Sequence, residues 1–153
     1  MFKNVINFIK TQFPNEDFIP LHVPQFSGNE KKYLNDCIDS TFVSSVGAYV
    51  DLFEQKMCEY TGAKHCIAIV NGTNALHLSL ILAGVKKEDE VLTQALTFIA
   101  TANAISYCNA TPHFVDVDKE TLGLSPTLLK KYLSEIAEVK NNICYNRKTG
   151  KKI

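Results

Sequence analysis

From residue 66 onward, short runs rich in β-branched residues alternate with longer apolar stretches. The short runs are "CIAIV" (66–70), "EVLTQA" (90–95) and "TPHFVDVD" (111–118). The longer ones are "NALHLSLILAG" (74–84), "FIATANAISYCNA" (98–110) and "TLLKKYLSEIAEV" (127–139). The short runs have the length and composition of buried strands, and the long ones those of helices. Strand, helix, strand, helix, strand, helix predicts an α/β layer architecture with a mostly parallel sheet. Pro112 is compatible with the third strand because it stands at its start, where no central ladder bond is lost. Ser125-Pro126 reads as an N-cap followed by proline at the first helical position.

The first third of the chain is different. "MFKNVINFIKTQF" places Phe2, Val5, Ile6 and Ile9 at helical spacing, with polar residues between them. It reads as a short amphipathic helix, without the continuous apolar core or cleavage pattern of a signal peptide. Pro14 to Phe26 contains three prolines and reads as an extended connector. Two helices follow. One places Tyr33, Leu34, Cys37 and Ile38 on a single face. The other runs through "AYVDLFEQKMCEYTGA", with Gly62 at its C-terminal cap. The expected organisation is a helix and connector over 1–26 and an incomplete large domain over 27–153. Three strands leave bare sheet edges and uncovered helix faces. "KTGKKI" ends in a basic turn that normally feeds a strand. The chain is therefore expected to be the amino-terminal part of a longer fold.

Composition removes several functions. Lys and Arg together number 16, as do Asp and Glu, so the formal net charge is zero. No basic face for nucleic acid is expected. No run is long enough to span a membrane. Arg147 is the sole arginine, which leaves no arginine clamp. The five cysteines are scattered and read as reduced thiols in a cytoplasmic setting. The four histidines do not cluster with them into a metal site.

Three stretches could carry chemistry. "NGTNAL" (71–76) connects a strand to a helix. Gly72 permits close approach, Thr73 offers a hydroxyl, and the first-turn N–H groups make an anion site. The alternative is that Thr73 or Asn74 merely caps the helix. The pattern is neither a dinucleotide fingerprint nor a P-loop. Phe98 follows the strand "EVLTQA", at the end where α/β proteins bind ligands. It could stack on a flat heterocycle or belong to the core. The Ala-Thr-Ala-Asn run after it offers close helix packing or room for a ligand. Asp116 and Asp118 of "FVDVD" read as solvated or turn-capping acids. His77 reads as a packed histidine, and His22 and His113 have no evident partner in sequence.

In order, "SSVG", "EYTGAKHCIAIVNGTNAL", "KEDEV", "TFIATANAI" and "FVDVD" resemble the amino-terminal part of the DegT/DnrJ/EryC1/StrS sugar aminotransferases, from about Phe18 onward. "QALTFIATANAISYC" and "DSTFVSSVGAYVD" look most like the branch making legionaminic acid or bacillosamine-type products. The resemblance implies a fold-type I large domain and pyridoxal 5'-phosphate as cofactor. It implies that Gly72, Thr73 and the Asn74 backbone hold the phosphate and that Phe98 stacks on the ring. Ser44, Ser45 and Gly47 would lie near substrate. It also implies glutamate as amino donor, a nucleotide-linked 4-keto-6-deoxy sugar as acceptor, and a homodimer in full-length relatives. No catalytic residue is assigned. The Schiff-base lysine and the carboxylate facing the pyridine nitrogen are expected beyond residue 153, so these residues alone are expected to be inactive. Two alternatives stand beside this reading. One is a non-catalytic piece that binds a phosphate ligand or pairs with a full-length homologue. The other is a related sugar dehydratase.

Overall fold

The computed structural model describes residues 2–153. Contacts divide the chain into two units, one ending at Gly62 and one spanning Ala63–Ile153.

The first unit is helical: α1 (Lys3–Gln12), α2 (Glu30–Asp39) and α3 (Ala48–Thr61). The amphipathic spacing of each predicts this. Gly62 ends α3 in the left-handed region at φ 73°, and its N–H donates to the carbonyl of Cys58. Only glycine reaches that conformation without steric cost. Gly47 opens α3 at φ 155° and ψ 161°, a region essentially closed to side chains. None of the described residues in this unit is buried.

The second unit contains α4 (Gly72–Leu82), β1 (Glu90–Gln94), α5 (Ile99–Tyr107), β2 (Thr111–Val115), α6 (Pro126–Ile136), β3 (Ala137–Lys140) and β4 (Ile143–Asn146). β1 and β2 pair in parallel, with Glu90 opposite Thr111 and Gln94 opposite Val115. Parallel neighbours require a crossover, and α5 supplies it. The core is small: Ala104 and Ile105 of α5, Ala110, Val115 of β2 and Ile136 of α6. Ser125 caps α6 by accepting from the N–H of Leu128 at 3.3 Å, with Pro126 first in the helix, as the sequence predicts.

Two expectations fail. Cys66–Val70 forms no strand. A strand exists only in a ladder, and no described strand pairs with this run; Ile67 and Val70 remain 76% and 82% exposed. The last helix stops at Ile136 instead of Val139, and the tail is not formless. Residues 137–146 make an antiparallel hairpin, with Lys140 opposite Ile143. Its two-residue loop is Asn141-Asn142, at φ 51° and 61°. Asparagine tolerates positive φ, which a type I′ hairpin turn demands twice, so the turn overrides helix propensity here. The expected turn at Thr149-Gly150 is present, with Gly150 at φ 72° and its N–H on the carbonyl of Asn146.

Ile136, the last residue of α6, is 1% exposed. Truncation to alanine removes buried methylenes and leaves a cavity. Ile136→Ala is expected to lower the unfolding free energy by about 2–5 kcal/mol, measured by urea denaturation.

Candidate functional site

α4 and α5 pack against one another, and a cleft of about 590 Å³ opens between their N-terminal ends. Gly72, Thr73 and Leu76 line it from α4; Phe98, Ala100 and Thr101 line it from α5 and its cap. The "NGTNAL" turn and the "TFIATANAI" stretch therefore meet. The small-residue run provides both helix packing and open space, since Ala100 and Thr101 carry too little bulk to fill the gap.

The start of α4 is capped by Asn71, not by Thr73 or Asn74. The Asn71 backbone is extended, and its Oδ1 accepts from the N–H of Asn74 at 2.9 Å. Asparagine is a strong N-cap residue, so the signal was present in sequence. The Asn74 N–H, expected to face a phosphate, is thus engaged by the cap. Gly72 and Thr73 occupy the first two helical positions, where N–H groups have no intrahelical acceptor. A Cβ built on Gly72 would meet no atom within 4 Å, and its φ lies outside the left-handed region. Neither turn nor packing calls for glycine here. What the missing Cβ leaves open is the floor of the cleft.

Phe98 precedes α5 and is 79% exposed, so it is not core. Beside it Thr97 and Thr101 share a hydroxyl–hydroxyl bond at 2.9 Å, which ties the strand exit to the helix. Together these elements offer an anion-binding helix start, a hydroxyl and an exposed aromatic face. No lysine or carboxylate lines the cleft among the described residues.

Ser44, Ser45 and Gly47 belong to the first unit. Ser44 and Gly47 line a separate apolar cleft of about 490 Å³ with Phe42, Val43 and Val46. Ser45 is exposed and does not line it. Tyr49, which also lines this cleft, donates its hydroxyl to Asp36 Oδ2 at 2.8 Å, and the Tyr33 and Tyr49 rings lie 5.0 Å apart. The hydrogen bond to Asp36, aided by desolvation and that carboxylate's charge, pushes the Tyr49 phenol up to about 12.

Outside these clefts the acids behave as the sequence suggests. Asp118 Oδ1 accepts from the N–H groups of Thr121 and Glu120 and from the Thr121 hydroxyl. Those bonds hold its carboxyl below the ordinary range. It is a turn-capping residue. Asp116 Oδ1 accepts from the N–H of Val117. His77 packs edge-on to Tyr107, with centroids 5.6 Å apart. His113, partnerless in sequence, lies between Glu90 and Tyr132. The parallel register, visible only after folding, brings it there: His113 stands two residues beyond Thr111, the partner of Glu90.

A family pattern now accounts for the arrangement. The DegT/DnrJ/EryC1/StrS aminotransferase pattern matches residues 24–139, which include both clefts. The chain belongs to that family. It is 46% identical to a GDP-perosamine synthase from Escherichia coli O157:H7 over 71% of its own length and 30% of the relative's. Among solved structures, an aminotransferase from Psychrobacter cryohalolentis is 31% identical, with a TM-score of 0.66 over 73% of this chain and 29% of that one. A sugar aminotransferase from Streptococcus pneumoniae, solved in its PLP form, is 27% identical with a TM-score of 0.63, over 74% and 29%. The chain therefore spans about 30% of the length of the curated relative. In this family it carries an α/β portion of the fold-type I architecture. The relative's name points to a GDP-linked sugar, not to the legionaminic acid or bacillosamine-type products expected from "QALTFIATANAISYC" and "DSTFVSSVGAYVD".

The Tyr49–Asp36 bond yields a direct test. Ultraviolet titration of the phenols should leave one tyrosine ionising near pH 12, and Asp36→Asn should return it toward about 10.

Proposed function

We propose that this chain supplies the phosphate cup and ring platform of a pyridoxal phosphate-dependent sugar aminotransferase. The observation that carries the reading is the cleft between α4 and α5, where Gly72, Thr73 and Phe98 come together. The N–H groups of Gly72 and Thr73, the Thr73 hydroxyl and the N-terminal end of the α4 dipole would hold the dianionic phosphate. The open space over Gly72 fits a group resting on the backbone. Asn71 fixes the first turn so that those donors converge. The Asn74 N–H, shared with the cap, lies at the edge of the cup. Phe98, exposed beside the cup, would stack on the pyridine ring. When bound, the cofactor supplies an aldehyde that accepts an amine and a conjugated ring that takes up an electron pair.

The acceptor in this reading is a nucleotide-linked 4-keto-6-deoxy sugar, with GDP as the carrier, and glutamate is the donor. The GDP assignment follows from likeness to a GDP-perosamine synthase. Ser44, Ser45 and Gly47 are proposed as substrate-side residues of the first unit. The absence of a lysine among the described residues of the cleft fits binding without turnover by residues 1–153. Proton transfer at the substrate carbon needs such a base. Purified chain that aminated a keto-sugar would overturn that part of the reading.

Binding is tested by titrating pyridoxal phosphate against the chain and following absorbance and aromatic fluorescence. Thr73→Val removes one hydrogen bond to a charged group, worth about 1.5–3 kcal/mol, so affinity should fall roughly ten-fold or more. Phe98→Ala should weaken binding while leaving inorganic phosphate competition intact. Wild-type affinity in both variants would sink the assignment.

A further inference from the structure

Glu90 opens β1 and is only 5% exposed, yet it carries a carboxylate. Its Oε2 accepts from Asn146 Nδ2 at 2.8 Å and meets His113 Nδ1 at 2.8 Å. Its Oε1 accepts from the Thr149 hydroxyl at 2.7 Å. Its own N–H donates to the carbonyl of Lys152 at 2.7 Å. On the far side of the imidazole, His113 Nε2 lies 2.8 Å from the Tyr132 hydroxyl. One residue thereby touches β2, the end of β4, the 147–150 turn and the chain near Ile153, and through His113 it reaches α6. Asn146, Thr149 and Lys152 all lie past residue 139, where the family match ends.

We infer that Glu90 is an acid-sensitive latch: its ionised carboxylate fastens residues 143–153 to the β1–β2 pair, and its protonation releases that segment before α4 and α5 unfold. The bonds from Asn146 and Thr149 are made to a buried carboxylate and are charge-assisted, so protonation weakens both at once. The Tyr132 hydroxyl at His113 Nε2 can either donate or accept. The other charged groups near the latch are Lys152 and Asp89, paired at 3.6 Å and partly exposed.

Burial pushes the Glu90 carboxyl up, but the hydrogen bonds from Asn146, Thr149 and His113 outweigh it and hold it below the ordinary 4.5. A group lowered on folding stabilises fully above its unfolded value and loses that stabilisation as pH falls through the folded one. The latch is therefore shut at neutral pH and opens below about pH 4.5.

Hydrogen–deuterium exchange by mass spectrometry on the full chain between pH 7 and 3 tests this, after correction for intrinsic rates. Protection of residues 143–153 should collapse below pH 4.5 while that of α4 and α5 persists. Glu90→Gln should speed exchange of 143–153 at pH 7 at least ten-fold and abolish the pH step. Thr149→Val removes one donor and should raise the opening midpoint; it serves alone if Glu90→Gln fails to fold. A midpoint in the imidazole range near 6.5, simultaneous loss of protection in α4 and α5, or an unmoved midpoint in Thr149→Val would each overturn the inference.

Discussion

The parallel pairing of β1 with β2 is the constraint on which the second unit depends. Parallel neighbours cannot be joined by a tight turn, so the chain between them must cross over the sheet. That crossing is α5, whose Ala104 and Ile105 are almost wholly buried. Because α5 begins directly past the C-terminal end of β1, Phe98 emerges at the ligand-binding end of the sheet. α4 then packs on α5 through small side chains, and the cleft follows from their lack of bulk.

The two ends of β1 carry different chemistry. At the C-terminal end lie exposed Phe98 and the small residues that follow it. At the N-terminal end lies Glu90, buried and ringed by donors from β2, β4 and the following turn. A buried carboxylate is costly unless its lone pairs are satisfied. Here His113, Asn146 and Thr149 satisfy them, and the hairpin and tail are drawn onto the sheet as a consequence. One end offers open donors to a ligand, while the other uses its hydrogen bonds internally.

The first unit has no such anchor. It exposes Phe42, Val43 and Val46 between α2 and α3 and Phe53 on α3, and none of its described residues is buried. Its best-defined polar feature is the Tyr49–Asp36 bond beside the apolar cleft. The chain as a whole covers 30% of the GDP-perosamine synthase from Escherichia coli O157:H7 to which it is similar.

Periodicity and turn chemistry made much of this readable before any coordinates. The helical segments, the αL cap at Gly62, the turn at Thr149-Gly150, the Ser125-Pro126 start and the strands at 90–94 and 111–115 all follow from local rules. So does the candidacy of "NGTNAL", since a helix start has free N–H groups wherever it occurs. Tertiary structure decided what local rules cannot. It left Cys66–Val70 without a ladder, because pairing is a property of two strands and not of one sequence. It turned 137–146 into a hairpin, because paired asparagines at positive φ and a register with β4 outweighed helix propensity. It gave His113 its partners through the β1–β2 register. It also joined Thr73 to Phe98, two residues with no relation in sequence until α4 and α5 pack together and turn a helix start into one wall of a cleft.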